Sequence, residues 1–129
     1  MTTQRTSGTS PYEAAYGFSR AVRVADRILV SGTAPVEEDG SSTPGDAAAQ
    51  ARRCFAIILK AIEELGGSAE DVVRTRMFII DPADADPVGA VHGEIFRDVR
   101  PVATMVVVSA LLRDEWRVEI EAEALLSHA

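Results

Sequence analysis

Glu119, Glu121 and Glu123 stand at alternate positions in RVEIEAEAL, with Val118, Ile120, Ala122 and Ala124 between and around them. Period two is the pattern of a strand that turns its carboxylates to one face and its apolar groups to the other. An ionised carboxylate withdrawn from water without a partner is costly, so each of the three has to be solvated, paired with a cation or held against a ligand. In the last case the group can take or give a proton. The cations able to meet such a face are Arg74 and Arg76 in VVRTRMFIID, where Val73, Thr75, Met77 and Ile79 alternate with Arg74, Arg76, Phe78 and Ile80. Arg100, just before Pro101, is a third.

The other reactive side chains carry less. His92 falls on a predicted helix beside Glu94 with no second metal ligand at helical spacing, and reads as a surface or helix-packing residue. Cys54 sits among Ala51, Phe55 and Ile58 without a CxxC partner, with only Arg52 and Arg53 as basic neighbours; it reads as a small buried residue rather than a nucleophile. SGTAP lacks the spacing and the lysine of a phosphate loop. No metal or cofactor is expected.

The strand of acids has to be positioned by a small domain. The chain has 129 residues, 47% apolar and 26% charged, enough for one domain with one core. A loose arm is expected over residues 1–16, followed by a single domain over 17–126. Phe18–Val24 and Arg27–Ser31, turned at Ala25-Asp26, read as a hairpin. Ala47, Ala51, Phe55, Ile58, Ile62 and Leu65 recur at steps of three and four, which predicts a helix over Asp46–Leu65 ended by Gly66-Gly67. Val72–Ile80 is a strand, and Pro82–Phe96 a shorter helix with Val88, Val91 and Ile95 as its stripe. Arg100–Leu125 supplies two more strands, giving an α+β order of β-β-α-β-α-β-β. Two helices cover only one face of such a sheet. The other, expected to carry Arg74, Arg76, Phe78, Met105, Glu119 and Glu121, should meet further copies of the chain.

A net charge of −7 with no basic run disfavours nucleic acid as a partner. No apolar run is long enough to span a bilayer. MTTQRTSGTS contains no signal segment and one cysteine closes no internal disulfide, so the expected setting is cytoplasmic.

Three segments, GFSRAVRVADRILVSGTAPV, VVRTRMFIID and RPVATM with VEIEAEAL, resemble the RidA or YjgF/YER057c/UK114 family of reactive intermediate deaminases, also described as endoribonuclease L-PSP-like. The likeness runs from about Gly17 to Leu125. It implies a Bacillus-type chorismate-mutase-like fold, assembled as a homotrimer whose sheets form a central barrel, with ligand clefts between subunits. It also implies hydrolysis of enamines and imines such as 2-aminoacrylate to 2-keto acids and ammonia, without metal or cofactor.

By the same resemblance Phe18 stands where the archetype has a tyrosine in the cleft wall, Ser31 and Gly32 supply lining backbone, and Glu119 is the acid that holds or protonates the attacking water. A carboxylate-binding arginine is implied two residues after Pro101. This chain has Ala103 there, which cannot grip a carboxylate, so it resembles a divergent subgroup for which 2-aminoacrylate itself is disfavoured.

The residues leave alternatives open. Glu119 is a ligand-facing acid or the partner of an arginine, and Arg76 reaches a ligand or neutralises Glu119 or Glu121. Ser31 and Thr104 bind a small oxygenated ligand or are satisfied by local backbone. Phe18 and Met105 wall a cleft or merely fill space. The expected function is a cofactor-independent imine or enamine deaminase-type hydrolase acting on a small molecule in an inter-subunit cleft. The alternative is a non-catalytic trimer that binds a small metabolite or has a regulatory role.

Overall fold

The computed structural model describes residues 2–127. Its strands are β1 (Thr3–Thr6), β2 (Ala21–Val24), β3 (Arg27–Thr33), β4 (Val72–Ile79), β5 (Val102–Val107) and β6 (Val118–Leu125). Its helices are α1 (Tyr12–Tyr16), α2 (Ala47–Glu64) and α3 (Ala85–Phe96). The strands form one sheet in the order β1-β2-β3-β6-β4-β5. All neighbours are antiparallel except β4 and β5, the pair joined through α3, as a parallel connection requires. From β2 onward the order is the expected β-β-α-β-α-β-β, an α+β fold.

The N-terminal segment departs from expectation. In place of a loose arm over residues 1–16, of which residue 1 lies outside the described residues, Thr3–Thr6 pairs with Ala21–Val24 and Tyr12–Tyr16 forms a helical turn. An edge strand such as β2 offers unpaired backbone groups to any extended segment, and a ladder of backbone bonds needs no apolar side chains. A Thr-rich segment can therefore join the sheet without a hydrophobic period to announce it. The sheet begins before residue 17.

Helix α2 follows its sequence pattern. Asp46 caps it, its carboxylate accepting from the Ala49 N–H at 2.9 Å, and Gly66 takes a φ of 94° just beyond its end, which glycine alone tolerates cheaply. Phe55, Ile58 and Ile62 meet Val88, Val91 and Phe96 of α3 and Ile28, Met77, Ile79, Val118 and Ile120 of the sheet in one core. The Pro82–Phe96 segment divides into a single 3₁₀ turn over Pro82–Asp84 and then α3, with Ile95 only half-buried.

One strand face shifts by a residue. Val73 was expected beside Thr75, Met77 and Ile79, but it is 44% exposed while Val72 is buried. The pairing of β4 with β6 slips between Val72 and Arg74, so Val73 is the extra residue of a bulge. Beyond it the alternation holds.

Cys54 is fully buried in the core, and burial pushes its thiol pKa up, which leaves it unreactive. His92 lies on the inner side of α3 against Phe55 and Phe96, with Nε2 2.8 Å from the hydroxyl of the buried Thr75. Desolvation lowers its pKa from the ordinary 6.5. The folded chain then binds fewer protons here than the unfolded chain, so stability from this site is complete above about pH 6.5 and declines as pH falls through that value. Denaturant midpoints at pH 7.5 and 5.5 are expected to differ by less in His92→Gln than in the wild type; an equal difference in both would show that His92 titrates as it does in the unfolded chain.

Candidate functional site

Register decides which of the three acids is free. On the sheet face that carries no helix, β6 sets Glu123 opposite Arg74, Glu121 opposite Arg76 and Glu119 opposite Phe78. Arg76 Nη1 lies 2.8 Å from Glu121 Oε1 and 3.8 Å from Glu123 Oε1. Glu123 also meets Arg74 Nε at 3.9 Å and Arg27 Nη2 at 3.5 Å. Glu119 faces a phenyl ring instead, and among the described residues no cation comes within 4.0 Å of it.

On its other side, the pairing of β3 with β6 shifts between Val30 and Thr33, and this irregularity brings Gly32 under the Glu119 carboxylate. A Cβ at Gly32 would stand 2.6 Å from Glu119 Oε2, closer than any side chain can sit. Burial raises the pKa of Glu119, the Arg20 charge opposes that rise, and Glu121 adds to it. The result is a carboxyl that holds its proton more tightly than an exposed one.

Around Glu119 lies a largely apolar pocket walled by Tyr12, Tyr16, Phe18, Leu112 and Trp116, with Arg20 and Gly32 beside the acid. Tyr12 and Tyr16, one turn apart on α1, stack with centroids 5.2 Å apart, and Tyr12 meets Trp116 edge-on at 6.4 Å. Gly17, at a φ of 79°, turns the chain from α1 into Phe18. Trp116 is fixed by donation from Nε1 to Ser42 Oγ at 2.9 Å. Buried Gln50 of α2 ties the loops behind it, donating to the carbonyls of Thr43 and Glu115 and accepting from the Arg117 N–H.

Arg20 is the least expected member. It is 4% exposed, its guanidinium stacks 5.6 Å from the Phe18 ring centroid, and Nη2 donates to the Gly32 carbonyl at 2.8 Å. Burial lowers its pKa against the opposing charges of Glu13 and Glu119.

Of the expected site residues, Phe18, Gly32 and Glu119 come together here. Ser31 is adjacent on β3, but its hydroxyl donates to the Ser19 carbonyl at 2.7 Å, the local satisfaction that was its alternative. Ala103, Thr104 and Met105 lie on the edge strand β5, which β4 separates from β6, so one chain does not bring them to this pocket. Thr104 stands opposite Arg76 on the helix-free face, while Ala103 stands opposite Thr75 and is exposed. Met105 is a correction: it was expected on the helix-free face, but the parallel register sets it opposite buried Met77, and it lies against the core. Arg76 is engaged by Glu121 and lines a separate shallow cavity with Arg74 and Glu123.

Sequence reasoning missed Arg20, Tyr12, Tyr16 and Trp116. The two tyrosines did carry a signal, a four-residue spacing in YEAAYGF ahead of a glycine. Arg20 did not, since in SRAVRV it looks no different from Arg23.

Among the described residues no helix is long and apolar enough to cross a membrane, and no cluster of three or more His, Cys, Asp or Glu is arranged to hold a metal ion. The fold and pocket define a class of small α+β proteins with a helix-backed sheet and a half-buried carboxyl lining an apolar cleft. The chain belongs to the Endoribonuclease L-PSP family, whose model matches residues 8–126, the group also known as YjgF/YER057c/UK114 or RidA. It is 38% identical over 121 residues to the Streptomyces coelicolor protein SCO2049, covering 94% of this chain and 90% of that one. It is 31% identical over 125 residues to the 2-iminobutanoate/2-iminopropanoate deaminase of Escherichia coli, covering 94% and 97%. The crystal structure of Rv2704 from Mycobacterium tuberculosis, a member of the YjgF/YER057c/UK114 family, superposes with a TM-score of 0.87 at 39% identity, covering 97% of this chain and all of that one.

Because the folded state raises the Glu119 pKa, ionising that group costs stability as pH rises from the unfolded value, 4.5, towards the folded one. Glu119→Gln is expected to raise the denaturation midpoint at pH 7 and to lose that advantage below about pH 4. A variant no more stable than wild type at pH 7 would show that the ionised carboxylate is fully compensated. Gly32→Ala is expected to displace the carboxylate and bring its titration, followed by ¹³C NMR of the side-chain carboxyl, back towards the ordinary range.

Proposed function

We propose that the protein is a cofactor-independent deaminase-type hydrolase of imines or enamines derived from small amino acids. The observation that carries this reading is Glu119, an acid with a raised pKa and no cation opposite it in the sheet, held over Gly32 in an apolar pocket. Its likeness to the Escherichia coli 2-iminobutanoate/2-iminopropanoate deaminase supports the choice of substrate class.

In this reading, water adds to the imine carbon while the Glu119 carboxyl gives its proton to the nitrogen. The resulting carbinolamine collapses to a carbonyl and ammonia, with Glu119 regaining a proton along the way. Phe18 and Gly32 wall the substrate, and Ser31 contributes backbone. The helix-free face is covered by two further copies in a homotrimer, which would bring the exposed Ala103 and Thr104 of a neighbouring copy towards the pocket and make the cleft inter-subunit, while Met105 stays against its own core. Arg76 stays with Glu121 in the seam. The exposed residues of the edge strand β5, with Val102, Val106 and Val107 among the large exposed apolar groups, support that assembly.

A second reading, a trimer that binds a small metabolite without turning it over, is favoured by one observation: Ala103 offers no guanidinium at the exposed edge.

The purified chain is expected to sediment as three copies of 13.8 kDa and, at catalytic concentration, to speed the disappearance of imines released by an amino-acid oxidase. Glu119→Gln is expected to lower that rate about 10²- to 10⁴-fold. A correctly assembled trimer that accelerates the loss of no amino-acid-derived imine would leave the binding reading in place of the enzyme.

A further inference from the structure

A guanidinium removed from water ordinarily comes with an anion, because the charge and its N–H groups must both be compensated. Arg20 has none. Among the described residues no carboxylate oxygen lies within 4.0 Å of its nitrogens, and its Nε is buried without a hydrogen-bond partner. The two acids that act on it electrostatically are otherwise placed: Glu13 accepts from the Gly8 N–H at 2.9 and 3.1 Å, and Glu119 sits over Gly32. Among the described residues the neutral Gly32 carbonyl is the one acceptor it holds.

Arg20 and Glu119 line the same pocket and both meet Gly32, the one at its carbonyl and the other where a side chain would stand. We propose that Arg20 receives the carboxylate of the ligand through its free Nε edge, so that the pocket selects imino acids over neutral imines and Arg20 takes the place of an arginine at position 103. This rests on the deaminase reading for the identity of the reacting group, and on the buried, unpartnered Nε of Arg20 for the anion.

The geometry fits a two-ended ligand. Glu119 is suited to the nitrogen end, where a proton has to be delivered, and Arg20 to an anionic oxygen, for which a guanidinium donates from its side edge. A ligand without an anionic oxygen would leave Nε as it stands, buried and unpaired, and gain nothing from it. A second cavity, beyond residues 6–9, also touches Arg20, but there Glu38 and Glu64 stand beside Arg53 and Lys60 and Glu119 is absent. The aromatic pocket is the one that offers both ends.

The test compares binding of 2-oxobutanoate, the product of the corresponding imine, with binding of its uncharged methyl ester, followed through Trp116 fluorescence or by calorimetry. The wild type is expected to bind the acid about 10- to 100-fold more tightly than the ester. Arg20→Gln should abolish that preference, and Arg20→Lys should keep part of it. Equal binding of acid and ester by the wild type, or an undiminished preference in folded Arg20→Gln, would overturn the assignment. If Arg20→Gln does not fold, the wild-type comparison and Arg20→Lys decide. Glu119→Gln should retain the preference for the acid while losing turnover. Acid-selective binding by a wild type that hydrolyses no imine would remove the deaminase reading and leave Arg20 as the carboxylate receptor; turnover without acid selectivity would do the reverse.

Discussion

The pairing register of β6 with β4 is the constraint on which the site depends. Three acids at period two face Arg74, Arg76 and Phe78, also at period two. Two charges are matched across the strands and the third is not. A slip of one residue would turn every acid into the core, and a slip of two would give Glu119 a cation and take one from Glu123. The buried side of the same strands forbids either slip, since Val118, Ile120, Ala122 and Ala124 fit against α2 and the inner residues of β3 and β4. The isolation of Glu119 is therefore enforced by hydrophobic burial on the opposite face of its own strand.

The second support comes from irregularity. Strand β3 breaks its register where Gly32 passes beneath Glu119, and the missing side chain is the space that the carboxylate occupies. Arg20 holds the Gly32 carbonyl from below. Acid, glycine and guanidinium are thus mechanically one unit, although Glu119 is far along the chain from the hairpin that carries Arg20 and Gly32. Interactions of this kind, confined to a low-dielectric cleft, act on each other more strongly than the same groups on a wet surface.

Much of this was legible in the sequence because it was periodic. The alternation in RVEIEAEAL and VVRTRMFIID gave two strands whose faces are right from Arg74 onward, and the stripe from Ala47 to Leu65 gave α2. What stayed hidden lacked a period. Thr3–Thr6 joins the sheet through backbone alone. The bulge at Val73 and the parallel register that turns Met105 inward depend on how strands align, which no local pattern encodes. Which acid Arg76 would neutralise was likewise undecided until the register matched it to Glu121. The resemblance named Phe18, Gly32 and Glu119, which line one pocket, but Arg20, a residue of ordinary appearance, emerged only when its surroundings were known.

The N-terminal turn has a practical side. Tyr12 and Tyr16 form one wall of the cleft, and β1 closes the edge of β2 just before them. A shortened version starting at Gly17, the point where sequence patterning first becomes strong, would strip away half the aromatic lining and bare a strand edge prone to self-association. An affinity tag fused ahead of Thr3 would hang beside that same edge.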